Sequence, residues 1–486
     1  MSTPLSPPSD RMSGRAWGML LVLCGAIFLE GIDVAMLNVA LPSIRSDLDL
    51  STGSLSWVMS SYVLGYGGFM LLGGRAADLL GRRRMFLAWL GVFIVFSGLG
   101  GFATEGWILI VARFVTGVAS AFMAPAGLSI ITTNFAEGPQ RNRALLVYAG
   151  TAAAGFSLGL VVGGLLAEIS WRWVFFAPVI MASAVLVAAL RLIPGGERPY
   201  RHTQGFDLAG AVTVTAAMMT LVFAVVRLED PAGGWAWTAG ALAVGVALIA
   251  AFVAIERRSA APLVRLGILR SGPLVRANLG ALLFGGSFFG FQFLVVLYLQ
   301  ELRGWSSLQA ALALLAVSID AILAPTLTPL LVNRFGNVRV IFGGLCLAAV
   351  AYALFLPVGL DWTYAAMFPT MIILGLGFAL AYGPLTIAAT DGVAEEEQGL
   401  AGGLLYTSFQ FGAALGLSAV TAVNVAATGS GGSLLTQLDG FRAALVIPFA
   451  MAFVAAAVIA SGLRGRSGAD RFVPELMNGS LPGKGL

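Results

Sequence analysis

The stretch Gly74-Arg-Ala-Ala-Asp78-Leu-Leu-Gly81-Arg-Arg-Arg84 joins two apolar runs, and Pro329-Leu-Leu-Val-Asn333-Arg-Phe-Gly336-Asn-Val-Arg339 joins two others much further along the chain. In both stretches an Asp or Asn is followed by Gly three residues later and by Arg six residues later. A loop pattern that recurs between apolar runs indicates an internal structural repeat. The two stretches therefore predict a membrane protein built from two related halves.

The composition agrees with this prediction. Of the 486 residues, 58% are hydrophobic and only 11% are charged, about half the charged fraction of a soluble globular domain. A helix needs about 20 mostly apolar residues to cross the hydrocarbon core, where lipid offers the backbone no hydrogen-bond partner. We therefore expect an all-α integral membrane protein, and the apolar runs give fourteen candidate spans.

The two related loops lie eight predicted spans apart, which implies two six-helix bundles with two further spans inserted between them. We expect both termini to be cytoplasmic. The predicted parts are an N-terminal tail (1–15), the first bundle (16–193), a linker (194–273) with inserted spans at about 207–227 and 235–256, the second bundle (274–463) and a disordered C-terminal tail (464–486).

The distribution of arginine supports this topology, because loops that stay in the cytoplasm hold most of the Lys and Arg. With the N-terminus inside, the predicted outer loops hold only five basic residues, and all others except Arg113 fall inside. The basic stretch from Glu256 to Arg276 is typical of a cytoplasmic interfacial segment that binds anionic lipid headgroups. The five outer residues are Arg45, Arg172, Arg227, Arg303 and Arg442.

Several function classes are excluded by rare residues. His202 is the only histidine and Lys484 the only lysine, which excludes His-based triads, His-rich metal sites and a G-x-x-x-x-G-K-[ST] phosphate loop. Cys24 and Cys346 lie in apolar runs, where a buried thiol is the expected form. We therefore expect neither an enzyme nor a metal or cofactor site, and the scattered arginines do not indicate nucleic-acid binding.

Four charged residues lie within predicted spans: Glu30, Asp33, Arg113 and Asp320. A charge at this depth costs several kcal/mol unless it is paired or hydrated, so each is a candidate functional residue. Glu30 and Asp33 are three residues apart and share a helix face, which favours proton or cation handling. Two alternatives stay open: a static pair neutralised by Arg113, and a hydrogen bond from Asp320 to a neighbouring helix. Such carboxylates would also attract a cationic substrate directly.

Three spans carry patterns with two interpretations each. Arg113 begins a run of small residues and is expected to control a carboxylate, unless it snorkels to the membrane surface. Span 5 has a glycine stripe that permits tight packing, bending or both. Span 9 is rich in Phe, which either lines a lipophilic cavity or faces lipid. These residues are Gly155, Gly159, Gly163 and Gly164 in span 5, and Phe288 with Gln292 in span 9.

Together these segments resemble the drug/proton antiporters with fourteen spans in the major facilitator superfamily. Asp33-Val-Ala-Met-Leu-Asn38-Val-Ala-Leu-Pro42 is similar to that group's span 1 signature, and Arg113 with Gly117 is similar to its span 4 motif. The resemblance implies a coupling role for Asp33, Arg113 and Asp320 and a gating role for the span 5 glycines. It also implies that the loop after span 2 latches the halves through Gly74, Asp78, Gly81, Arg82 and Arg84.

The chain departs from the group's pattern at several positions. Ala35 stands where Thr is usual, Thr116 where Gln is usual and Leu160 where Pro is usual. Span 13 offers Tyr406 and Gln410 where some multidrug relatives have acids, so both are candidates for lining the cavity together with Asn38.

The resemblance implies a monomeric exporter of small lipophilic or cationic molecules in a bacterial plasma membrane. It would work by alternating access, driven by proton exchange and not by a cofactor. One alternative is a dedicated exporter of a single endogenous metabolite, lipid or self-made antibiotic. Another, from a different class, is a membrane sensor or scaffold that does not transport.

Overall fold

The computed structural model describes residues 12–135, 139–195, 207–227, 235–259, 262, 264, 266–391, 393, 398–428 and 433–466. His202, Lys484 and most of both predicted tails lie outside these ranges. All regular elements in the described ranges are helical. The α-helices are α1 Gly14–Leu48, α2 Thr52–Leu80, α3 Arg82–Gly101, α4 Gly106–Asn134, α5 Pro139–Ile169, α6 Trp173–Leu192, α7 Leu208–Val226, α8 Trp235–Glu256, α9 Gly272–Leu297, α10 Ser307–Leu314, α11 Asp320–Phe335, α12 Asn337–Phe355, α13 Tyr364–Thr390, α14 Gln398–Thr428 and α15 Leu434–Arg466.

Ten of the described helices are long and apolar enough to cross a membrane: α1, α3, α4, α6, α8, α9 and α12 to α15. The described parts of α2, α5, α7, α10 and α11 do not meet the same measure of length and hydropathy. The chain is therefore a helical protein with many membrane-spanning segments. The total of fourteen spans and the cytoplasmic placement of both termini stay predictions.

The helices form two bundles whose pairing follows one scheme. In the first bundle, α1 packs on α5 and α6, α3 packs on α4 and α6, and α2 packs on α4. In the second, α9 packs on α14 and α15, α12 packs on α13 and α15, and α11 packs on α13. Helices α7 and α8 pack on each other, and α7 also contacts α2 and α14. The two six-segment bundles with an inserted pair are thus present in the fold.

The repeated loop pattern has a structural counterpart in backbone geometry. Gly81 lies between α2 and α3 with φ +97°, and Gly336 lies between α11 and α12 with φ +83°. Glycine adopts positive φ without the steric penalty that a Cβ brings. The same turn therefore joins the second and third segments of each bundle.

The tenth predicted segment is not one continuous α-helix. Between α10 and α11 the backbone tightens into a 3-10 helix over Leu315–Ile319, so Asp320 begins α11 instead of lying within an uninterrupted helix. The carbonyl of Val317 packs directly against Gly375 of α13, where a side chain would collide with it. The close packing of Val317 on α13 depends on Gly375, which is more than fifty residues away in the sequence. Hydropathy alone therefore does not predict it.

Candidate functional site

The guanidinium of Arg113 on α4 forms an ion pair with the carboxylate of Asp33 on α1. The Arg113 Nη1 to Asp33 Oδ2 distance is 2.5 Å, and the two side chains are 3% and 2% exposed. The guanidinium also lies 4.3 Å from the ring centre of Tyr62, whose hydroxyl donates to Ser120 over 3.0 Å. A buried ion pair with a cation–π contact is held firmly in place. Arg113 therefore does not snorkel to the surface.

Glu30 lies one turn before Asp33 but has a different environment. The Tyr406 hydroxyl on α14 donates to Glu30 Oε1 over 2.7 Å, which links the two bundles. The Tyr66 ring contacts Tyr406 edge-on, with 5.2 Å between ring centres, and stacks on Tyr62 at 6.0 Å. Glu30 is thus held by hydroxyl and aromatic groups, whereas Asp33 is held by a cation.

Tyrosines are concentrated around Glu30. Tyr406 of the second bundle donates to its carboxylate, and the rings of Tyr66 and Tyr62 from the first bundle extend this contact. Sequence reasoning named only Tyr406. The available signal was the four-residue spacing of Tyr62 and Tyr66 inside an apolar run, which places both on one helix face.

A buried amide pair also joins the bundles. Asn38 Nδ2 on α1 donates to Gln292 Oε1 on α9 over 3.1 Å, and each residue is 1% exposed. Asn38 Oδ1 and Gln292 Nε2 have no hydrogen-bond partner among the described residues. The two amides therefore keep one acceptor and one donor unused in this arrangement.

The bundles are fastened together at the end that carries the α1–α2 loop. Arg45 Nη1 donates to both carboxylate oxygens of Glu301, over 2.8 and 2.7 Å. Gln300 donates to the Val39 carbonyl over 2.9 Å, and the Leu308 amide donates to Glu168 over 3.2 Å. All three contacts cross from one bundle to the other, so they hold the bundles together at this end.

Two more predicted cavity residues and the predicted coupling residue Asp320 lie in the second bundle. Phe288 is 5% exposed and packs on Phe378, with 4.5 Å between ring centres, so it does not face lipid. Gln410 is 7% exposed and lies where α14 meets Gly67 of α2. Asp320 is half-buried at the first turn of α11. It belongs to the opposite bundle from Glu30, Asp33 and Arg113.

The span 5 glycines do not share one face, and the prediction of a single stripe is wrong for Gly164. A Cβ on Gly155 would lie 2.7 Å from the Phe28 carbonyl oxygen, one on Gly159 would lie 2.8 Å from Ile32 Cα, and one on Gly163 would lie 2.5 Å from Met36 Cα. These three pack α5 on α1. Gly164 instead faces α10 of the other bundle, where a Cβ would lie 2.8 Å from Ala311 Cβ. The reason is angular, because adjacent helical residues point about 100° apart.

Around the turn between α2 and α3, the contacts of Gly74 and Arg83 lie within the first bundle. Gly74 faces Pro125 of α4, and Arg84 is exposed. Arg83, which the sequence did not single out, donates to the carbonyls of Ile193 and Leu190 at the end of α6, over 2.9 and 3.0 Å. The Asp78 side chain lies outside the described set, and the latch role of Gly74, Asp78, Gly81, Arg82 and Arg84 stays a prediction.

Comparison with known proteins assigns the family. The profile described as Major Facilitator Superfamily matches residues 23–417, so the chain belongs to this superfamily of membrane transporters. It is 35% identical to the cephamycin export protein CmcT of Amycolatopsis lactamdurans, over 90% of this chain and 89% of that protein. It is 34% identical to the lincomycin resistance protein of Streptomyces lincolnensis, over 85% of each.

Among solved structures, the POT family transporter PepTSo superposes with a TM-score of 0.67 at 16% identity, covering 93% of this chain and 98% of that one. At this identity the likeness concerns the fold. The chain is therefore a multi-pass transporter of the major facilitator fold, not an enzyme.

Proposed function

We propose that the protein exports small lipophilic or cationic molecules, including antibiotics, from a bacterial cell across its plasma membrane in exchange for protons. The single observation that carries this proposal is the set of half-buried Glu30 with buried Asp33 and Arg113, at the contact between two bundles that are fastened at one end. The identity to proteins named for antibiotic export and resistance supports the direction of transport.

The arrangement of the bundles supports alternating access. Arginine sidedness predicts that the α1–α2 loop lies outside, and the Arg45–Glu301 pair would then close the outer end of the path in this arrangement. Substrate then enters from the cytoplasm and reaches the midplane. Movement of the bundles breaks the outer contacts and opens the path to the exterior.

The charges suggest how export uses the proton gradient. Arg113 neutralises Asp33, which leaves the Glu30 carboxylate as the group able to take either a cation or a proton. A proton that enters from outside adds to a carboxylate oxygen and removes its negative charge, so a bound cation is released there. The proton leaves on the cytoplasmic side, and the carboxylate is ready for the next substrate.

We assign the apolar wall of the site to an aromatic cluster of the second bundle. Phe284, Phe288, Phe378 and Phe409 contact one another in the second bundle, and Tyr382 packs on Phe409 with 5.0 Å between ring centres. Aromatic faces bind both apolar groups and cations. A lipophilic cation is therefore the substrate class that this combination fits best. The protein needs no cofactor for this cycle and acts as a monomer.

Ethidium uptake into inside-out membrane vesicles tests the proposal. In vesicles that contain the protein, an acid lumen is expected to drive ethidium inward, and an ionophore that exchanges K⁺ for H⁺ should stop the uptake. Vesicles from the same host without the protein are the control. Equal uptake in both preparations would refute export of this substrate class.

A second candidate function is export of one self-made metabolite, because both named relatives concern a single antibiotic. A susceptibility survey separates the two candidates. Protection of a sensitive host against several unrelated cationic compounds supports the broad exporter. Protection against one compound class alone supports the dedicated one.

A further inference from the structure

We propose that Tyr406 is a positioning residue that enforces exchange: its hydrogen bond to Glu30 holds the unloaded transporter in place, so that the bundles move only after a proton or substrate occupies the carboxylate. This inference rests on the proposed proton exchange. It adds the residue that prevents the transporter from changing sides without a bound proton or substrate. It concerns a tyrosine that the family's charged motifs do not include.

The bond spans the moving boundary. Tyr406 belongs to α14 of the second bundle and Glu30 to α1 of the first, and the Oη to Oε1 distance is 2.7 Å. The Arg45–Glu301 and Gln300–Val39 contacts lie towards the α1–α2 loop, whereas this one lies midway along α1 beside the Asp33–Arg113 pair. A movement of the bundles that carries α14 away from α1 lengthens or breaks this bond.

The surroundings leave the hydroxyl of Tyr406 as the main stabiliser of a charged Glu30. The groups that face the carboxylate are Tyr62 and Tyr66 from α2, Tyr148 from α5, Tyr382 from α13, Tyr406 from α14 and Asp33 from its own helix. Arg113 from α4 donates to Asp33. A hydrogen bond to an ionised carboxylate is about twice as strong as one between neutral groups.

This difference in bond strength makes the movement of the bundles depend on whether Glu30 is occupied. While Glu30 is ionised and empty, the charge-assisted bond resists separation of the bundles. A proton or a cationic substrate on Glu30 removes or neutralises the charge, weakens the bond and allows the movement. An empty transporter that could change sides would pick up a proton outside, return and release it inside, which dissipates the gradient without moving substrate.

Proton leak in proteoliposomes without substrate tests this directly. We compare the parent protein, Tyr406→Phe and the control Tyr352→Phe, using a pH-sensitive dye in the lumen. Tyr352 is also a buried tyrosine of the second bundle, but its hydroxyl bonds to Ser287 within that bundle. A bond to a charged group changes an equilibrium by roughly tenfold, so Tyr406→Phe should leak about ten times faster than the parent, and Tyr352→Phe should match the parent.

A double variant identifies the route of the leak. Tyr406→Phe combined with Glu30→Gln should return to the parental rate, because the amide cannot carry the proton. A leak rate of Tyr406→Phe equal to that of the parent overturns the inference. So does a leak that persists in the double variant.

A distance measurement separates this inference from the proposed function. Spin labels are placed at Leu80→Cys and Phe335→Cys, both exposed and matched in the two bundles, after replacement of Cys24 and Cys346 by Ala. The distribution of distances between the two labels in the parent should differ between pH 8.5 and pH 5.5. Tyr406→Phe should show the low-pH distribution at both pH values. The inference is contradicted if the distance distribution of the parent does not change with pH, or if Tyr406→Phe shows the same pH dependence as the parent. Neither assay uses substrate, so failure of ethidium transport alone counts only against the proposed function.

Discussion

Arg113 and Asp33 form an ion pair of 2.5 Å in which neither side chain is more than 3% exposed. Glu30, one helical turn away, bonds to a tyrosine of the opposite bundle instead of a cation. The carboxylates of Asp33 and Glu30 looked equivalent in the sequence, but their different partners suit them to different roles. Asp33 is tied to the first bundle, and Glu30 lies at the boundary between the bundles.

The Asp33–Arg113 pair is expected to be essential for the fold as well as the site. Asp33→Asn leaves a buried guanidinium without its counter-charge, which costs about 3–5 kcal/mol. Thermal unfolding followed by size-exclusion chromatography should show a large loss of stability. Asp47→Asn is the control, because the Asp47–Arg172 pair is 47% and 35% exposed and such pairs contribute about 0–1 kcal/mol. Equal losses in both variants would contradict this account of the buried pair.

The Arg45–Glu301 pair is expected to bias the transporter towards the arrangement closed at the α1–α2 loop. Arg45→Gln removes a half-exposed pair worth up to about 1 kcal/mol, which shifts the equilibrium by up to about fivefold. Maleimide labelling of Ser307→Cys, a position 7% exposed beside this end, should become faster by that factor in a background without other cysteines.

Two controls accompany this measurement. Arg45→Glu combined with Glu301→Arg should recover most of the parental labelling rate. Arg442→Gln breaks a 3.6 Å pair with Asp439 within α15 and should leave the rate unchanged. If Arg442→Gln accelerates labelling as much as Arg45→Gln does, the cross-bundle pair has no special role.

We expect substitutions at two glycines of α5 to have different effects. One should disturb packing within the first bundle, and the other should change how readily the two bundles move apart. Gly159→Ala places a Cβ 2.8 Å from Ala35 Cβ within the first bundle, and such overpacking costs about 1–3 kcal/mol. Gly164→Ala meets Ala311 of the other bundle, so the clash can be relieved by moving the bundles apart. The melting temperature should fall for Gly159→Ala, whereas Gly164→Ala should mainly accelerate labelling of Ser307→Cys.

Gly91→Ala is the matched control for both glycines, since a Cβ there meets no atom within 4 Å. It should change neither the melting temperature nor the labelling rate by much, because Ala favours the helix. A fall in melting temperature that is the same for Gly159→Ala and Gly164→Ala would show that both glycines serve packing alone.

Much of the fold could be predicted because hydropathy and charge act locally. Apolar runs must be helical in lipid, and a charge such as Arg113 within a run must find a partner. The turn at Gly81 and Gly336 was visible as a repeated pattern because glycine alone tolerates its backbone geometry.

The remaining features of the fold and the site depend on the direction in which each side chain points. The sequence of a helix that is apolar on all faces does not specify this direction. The tyrosines around Glu30 come from four helices beside its own, and no local pattern groups Tyr148 and Tyr382 with Tyr66. The outward direction of Gly164 and the 3-10 turn before Asp320 follow from packing against α10 and α13. These features needed the assembled bundles.

The central claim is that proton and substrate exchange on Glu30 between the two bundles. The most direct measurement follows ethidium and luminal pH together in the same proteoliposomes, for the parent and for Glu30→Gln. The account predicts that the parent accumulates ethidium only into an acid lumen while protons leave it, and that Glu30→Gln passes ethidium down its gradient without accumulating it. Equal accumulation by both proteins, or accumulation by the parent without any proton flow, would contradict the account.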